Sequence, residues 1–166
     1  MIFDDLVSPA DIFVDANTFI YHFTSDPKWG AACTRLLERI EFGELRGFIS
    51  THIQADVVHR LMTTEAMDRL GWPATRLAAR LRKQHAEIPN LTVYLQALTK
   101  IAQIGIQVLP VLELHVHQAA QLSRAHELLT GDALVVALMQ ANGLTNLASL
   151  DRDFDRVSGL TRYAPV

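Results

Sequence analysis

Short apolar runs, separated from one another by helix-length amphipathic stretches until the final pair, recur along the whole chain. That alternation is the strongest constraint on the fold. Two parallel neighbouring strands can be joined only by a crossover long enough to hold a helix, so the pattern predicts a largely parallel sheet covered on both faces. The strand-like runs are residues 11–16 (DIFVDA), 46–49, 106–109, 146–150 and 160–163. Helical periodicity marks residues 17–23 behind an Asn17-Thr18 cap, 30–42 stopped by Gly43, and 52–62 behind a Ser50-Thr51 cap. It recurs at 91–103 closed by Gly105, at 113–129, and at 131–142 ended by Asn142-Gly143. Residues 63–90, with Gly71-Trp72-Pro73 as an internal break, read as a helical insert or arm.

At 166 residues and 49% hydrophobic content the chain can bury one sizeable core, and a single domain over 1–166 is expected. The longest unbroken apolar stretch, residues 133–139, is far shorter than the roughly 18–20 residues of a membrane span. Asp4 and Asp5 stand where a secretory leader would carry basic residues. Cys33 is the only cysteine, which rules out an intrachain disulfide and a thiolate metal cluster. A cytoplasmic location is expected on both counts. A formal net charge of −3 argues against coating of nucleic acid by bulk electrostatics, but it does not exclude a nuclease whose acids hold cations.

In an open parallel sheet, ligands bind beyond the carboxyl ends of the strands. Asp15 closes the first strand, Asp151 closes the fourth, and Asp132 sits in the first turn of a helix, so all three are expected to face one crevice. Asp56, about a turn inside the helix after the second strand, is placed to join them. Taken alone, each acid is equally well read as a helix-terminal or turn residue; their joint placement favours a site. Four carboxylates in one pocket repel one another and must take up protons or a cation. All-oxygen ligation favours Mg2+, or Mn2+, over zinc. Such a site suits hydrolysis of a phosphodiester.

The segments VDANTFIY around Asp15, STHIQADVVHRLM around Asp56, LLTGDALVVALM around Asp132 and LASLDRDF around Asp151 together resemble the PIN domain, in particular the VapC-type toxin ribonucleases. The order and spacing agree over almost the whole chain. The resemblance implies a three-layer α/β/α sandwich around a five-stranded, largely parallel sheet. It also implies a Mg2+-dependent endoribonuclease acting on RNA, a homodimer, and a cognate antitoxin protein. By motif, Asp15, Asp132 and Asp151 match the family's acids. Asn17, Thr18 and Ser149 match polar positions that steady them, and Asp153 is a candidate further metal ligand. The sequence departs from the pattern at Asp56, where the family usually has Glu six residues after the serine of the second strand. The lost methylene shortens reach by about 1.5 Å, against a ligation tolerance of about 0.2 Å.

Other signals carry bland readings. His115 and His117 lie about 200° apart on a helix and are poorly placed to share a metal. His52 and His59 share a helix face near the acids, where packing or capping is the simpler role. Arg76, Arg80 and Lys83, in an acid-free stretch, recur along one helix face as either a solvated surface or a binding surface for RNA phosphate or antitoxin. The apolar face within 91–104 could serve a dimer. Two rival functions remain open. VDANTF also resembles the DxDxT motif of haloacid-dehalogenase-like phosphatases, with Asp15 as nucleophile, although Asn17 replaces the second aspartate. A PIN-like binding module weakened in turnover is the other.

Overall fold

The structure, a computed structural model, describes residues 1–166. Its five strands are β1 (Ala10–Val14), β2 (Leu45–Ser50), β3 (Gln107–Leu109), β4 (Asn146–Ala148) and β5 (Thr161–Tyr163). They form one sheet in the order β3-β2-β1-β4-β5, and every pairing is parallel. The expected α/β/α sandwich is therefore present, with a fully rather than largely parallel sheet.

The crossovers are α1 (Ala16–Phe23), α2 (Gly30–Glu41), α3 (Thr51–Leu70), α4 (Leu77–Lys83), α5 (Val93–Ile104), α6 (Glu113–His126) and α7 (Thr130–Ala141). Burial explains the apolar runs. In β1 the side chains of Ile12, Phe13 and Val14 are all fully buried, as a central strand covered on both faces requires. Each contributes about 1.5–3 kcal/mol by leaving water. The unbroken apolar run of α7 has the same cause: α6 packs along α7, and Ala133 and Val135 to Met139 are buried. At Ile12↔Gly47, in the β1–β2 register, the glycine is sterically required. A Cβ there would lie 2.8 and 2.9 Å from the Cγ2 and Cδ1 of Ile40, so the missing side chain lets α2 sit directly on the sheet.

Four expectations about the elements need correction. Asp15 itself caps α1, accepting from the Ala16 N–H, while Asn17 and Thr18 lie inside the first turn. The helix expected to end at Met62 continues unbroken to Leu70 and stops at Gly71, whose left-handed φ of 64° suits a residue without a side chain. The first eight residues of the arm, 63–70, are thus a continuation of α3. It is held by a small second core of Ala66, Leu81 and Leu91, with Met62, Trp72 and Ile88 packed against it. Arg76 does not share a helical face with Arg80 and Lys83, because it precedes α4 in a left-handed conformation at φ 55°. Finally, the apolar face within 91–104 is not free for a dimer: Leu91, Ala97, Ile101 and Ile104 are buried in the chain's own cores.

Candidate active site

The strand order reverses between β1 and β4, because the crossovers from β1 run to one edge and β4 and β5 build the other. Such a switch point opens a crevice at the carboxyl ends of the two strands. Asp15 follows β1 and Ser149 follows β4, joined across the gap by the ladder bond from the Asp15 N–H to the Ala148 carbonyl at 3.0 Å. The fold therefore brings residues 134 positions apart into direct contact.

Ser149 is the hub. Its buried hydroxyl donates to Asp15 Oδ2 at 2.7 Å and accepts from the Asp151 N–H at 3.0 Å. Asn17 Nδ2 donates to Asp15 Oδ2 at 2.5 Å and to Ser149 Oγ at 3.1 Å, while Asn17 Oδ1 accepts from the Leu150 N–H at 3.3 Å. The Ala16 N–H holds the other oxygen, Oδ1, at 2.7 Å. Asn17 and Ser149 thus hold Asp15 through hydrogen bonds to Oδ2. Thr18 contributes only through its backbone: its N–H donates to the Asp15 carbonyl, and its buried hydroxyl has no hydrogen-bond partner. Asn17 has no proton to exchange near neutral pH and is committed to holding Asp15, which does not suit the acid–base role the phosphatase alternative demands of that position.

Electrostatics ties the acids together. Burial raises the Asp15 carboxyl; hydrogen bonds from Ser149 and Ala16 counteract this, and the charges of Asp151 and Asp56 raise it further. Asp132, in the first turn of α7, is pushed up to about 6, first by burial and then by the charges of Asp151, Asp15 and Asp153. All five carboxylates act on the same region of space. They are not, however, arranged as ready ligands: no three His, Cys, Asp or Glu side chains stand at ligand spacing about one point. Like charges repel, and the outer acids have turned to nearby donors. Asp151 Oδ1 accepts from the Asp153 N–H at 2.9 Å, Asp153 pairs with Arg156 at 2.9 Å, and Asp56 faces Arg60 at 4.0 Å. The structure thus brings the acids to one end of the sheet without forming a ligand shell.

The donor set still fits a hard divalent cation. It consists of carboxylate oxygens, and Asp132, raised by burial and by the charges of Asp151, Asp15 and Asp153, is a group whose charged form a cation would favour. Asp15, Asp132 and Asp151 are the residues that would hold it. Asp155 lies outside this group. The Arg162 guanidinium grips it in a fork at 2.7 and 2.9 Å, which lowers its carboxyl, while Arg162 Nη1 also donates to the Ser149 carbonyl at 3.1 Å.

The histidines take structural parts. His52 Nδ1 meets the buried Ser50 hydroxyl at 2.8 Å, and burial lowers its pKa. His115 Nδ1 accepts from the Leu112 N–H at 3.1 Å, and His117 faces Glu113 at 3.7 Å, so the two do not form a metal pair. Arg80 and Lys83 project from α4 into solvent with Arg76 beside them.

The largest open depression, about 970 Å3, lies at the opposite, amino-terminal end of the sheet beside Pro9, Arg46 and Asn146. A smaller cleft of about 300 Å3 borders the acids, lined by Asn17, Tyr21, Arg60, Leu150, Asp151 and Arg152. Tyr21, Arg60 and Arg152 escape a reading of the sequence centred on acids. The available signal was their spacing, since Tyr21 lies four residues after Asn17 and Arg60 four after Asp56, one helical turn along the same faces.

Comparison with known proteins agrees with the geometry. The solved structure of VapBC2 from Rickettsia felis, bound to a promoter DNA fragment, is similar at a TM-score of 0.57 and 12% identity, covering 94% of this chain and 99% of that one. Mycobacterium tuberculosis VapC20, described as a sarcin-ricin loop cleaving toxin, is similar at 0.60 and 18% identity, covering 87% and 92%. A toxin–antitoxin complex from Klebsiella pneumoniae is similar at 0.53 and 16%, covering 90% and 95%. At these identities the likeness is one of fold. No curated protein sequence is similar enough to match. The PIN domain profile matches residues 12–160, a span that takes in every acid of the crevice, and the chain is a member of the PIN domain family.

Proposed function

We propose that the chain is a metal-dependent endoribonuclease that hydrolyses RNA phosphodiester bonds, acting as the toxin of a toxin–antitoxin pair with Mg2+, or Mn2+, as its cofactor. The observation that carries the reading is the gathering of Asp15, Asp132 and Asp151 at the switch point of a PIN sheet, where burial first, and then the charges of the neighbouring acids, hold Asp132 up at about 6. When bound, a divalent cation would neutralise phosphate charge and lower the pKa of an attacking water. The chain's own residues do the rest. Ser149 and Asn17 fix Asp15 so that one carboxylate is preorganised, and residues that orient such a group typically matter 10–100-fold. Asp132 and Asp151 sit on separate elements, so they would approach a shared cation from different sides.

Partners follow by the same reading: a second copy of the chain, and an antitoxin that neutralises it. The exposed cations Arg76, Arg80 and Lys83 are proposed contacts for RNA phosphate or for the antitoxin. No helix is long and apolar enough to cross a membrane. The test is cleavage of total RNA by the purified chain in Mg2+ or in EDTA. Cleavage in Mg2+ alone, abolished by Asp15→Asn with the fold retained, is the expected result. RNA intact in both conditions, with no rescue by Asp56→Glu, would instead leave a binding module.

A further inference from the structure

We propose that the cleft beside the acids is a subsite for one unstacked base of a single-stranded polynucleotide, with Tyr21 as the stacking platform and Arg60 and Arg152 as the clamps on the phosphates that flank it. This rests on the nuclease reading and goes beyond it by assigning the residues that seat the substrate. The cleft, of about 300 Å3, shares a wall with the acids: Asn17, which holds Asp15, and Asp151 both line it. Its other walls differ in chemistry. Tyr21 offers a half-buried aromatic ring, Leu150 an apolar contact, and Arg60 and Arg152 two exposed guanidinium groups. An aromatic ring sharing one cleft with two cations, next to a carboxylate cluster, matches a nucleotide with its base on the ring and its phosphates on the arginines.

The placement is built in. Tyr21 lies one turn beyond Asn17 on α1, and the Asn17 amide is pinned to Asp15, Ser149 and Leu150, so the ring's distance from the acid is set by a helix rather than by a loop. Arg60 reaches toward Asp56 only to 4.0 Å with about half of its side chain exposed, which leaves its guanidinium free to take a phosphate. A protein partner's side chain could also enter an aromatic cleft, but two cations at its rim favour a ligand with repeating negative charge.

The experiment measures cleavage of a single-stranded RNA oligonucleotide in Mg2+, and binding of the same oligonucleotide and its DNA counterpart in Ca2+. The proteins are wild type, Tyr21→Ala, Tyr21→Phe, Tyr21→Trp and, as a remote aromatic control, Phe42→Ala. Loss of one stacked base corresponds to roughly a 5- to 150-fold weakening of binding. Tyr21→Ala is expected to raise Kd and KM within that range, with Phe and Trp restoring them and Phe42→Ala matching wild type. An abasic scan should find one position that weakens wild type and leaves Tyr21→Ala no weaker. If wild type cleaves and Tyr21→Ala binds equally well, the subsite is overturned while the nuclease reading stands. If wild type neither binds nor cleaves any single strand, both are overturned. A circular dichroism melt separates loss of binding from loss of fold.

Discussion

Replacing Asp132 with Asn should stabilise the protein at neutral pH when divalent cations are chelated. Asp132 is held up at about 6, against an ordinary value of 3.8, by burial and by the charges of Asp151, Asp15 and Asp153. Above pH 6 the group is ionised in both the folded and the unfolded chain, and the folded state bears the whole cost of the crowded charge. The rise from 3.8 to about 6 corresponds to roughly 3 kcal/mol, and the partial exposure of the side chain reduces this to about 1–2 kcal/mol. As pH falls through 6 the folded carboxyl takes up a proton first, so wild-type stability rises, and near pH 4 the unfolded chain follows and the gain levels off. Asp132→Asn should therefore melt about 2–6 °C above wild type at pH 7.5 in EDTA, with the gap closing between pH 6 and pH 4. Thermal unfolding followed by circular dichroism across that range measures it. A variant that melts below wild type at pH 7.5, or a gap independent of pH, would refute the claim that the acids crowd one another.

Ser149→Ala removes the hydroxyl that joins Asp15 to the Asp151 backbone, and should cost about 1–3 kcal/mol in urea unfolding. It should also weaken Mn2+ binding about 10- to 100-fold, as titration calorimetry can measure. Gly47→Ala drives a Cβ into Ile40 and should destabilise by about 1–3 kcal/mol, with the Gly47→Ala/Ile40→Ala pair costing less than the sum of its parts.

Strand-end acids are legible in a sequence because a strand position and a sheet position are nearly the same statement: an acid that closes an apolar run in a parallel fold must emerge at the carboxyl edge. Asp15 and Asp151 are fixed in this way, and Asp132 by its place in the first turn of α7. What the side chains do there is not legible, because rotamers answer to partners from elsewhere in the chain. Arg156 draws Asp153 aside, and Ser149 commits both Asp15 and the Asp151 backbone.

The helix errors have equally local causes. The helix expected to end at Met62 runs on because Thr63 Oγ1 donates back to the His59 and Arg60 carbonyls, which satisfies the hydroxyl inside the helix. The face of α5 is apolar whether it covers its own core or a second copy, and periodicity does not distinguish the two; only the packing of α3 and α2 against it does. Tyr21 and the two arginines went unread because an aromatic or a cation at helical spacing has no chemistry until the fold supplies a neighbour.

The most direct test is Mn2+ titration by electron paramagnetic resonance on wild type, on Asp15→Asn, Asp132→Asn and Asp151→Asn singly, and on the triple variant, each confirmed folded. Each single change should weaken binding at least about tenfold, and the triple change should remove the site. A triple variant that takes up Mn2+ with wild-type stoichiometry and affinity would contradict a shared cation between β1, β4 and α7.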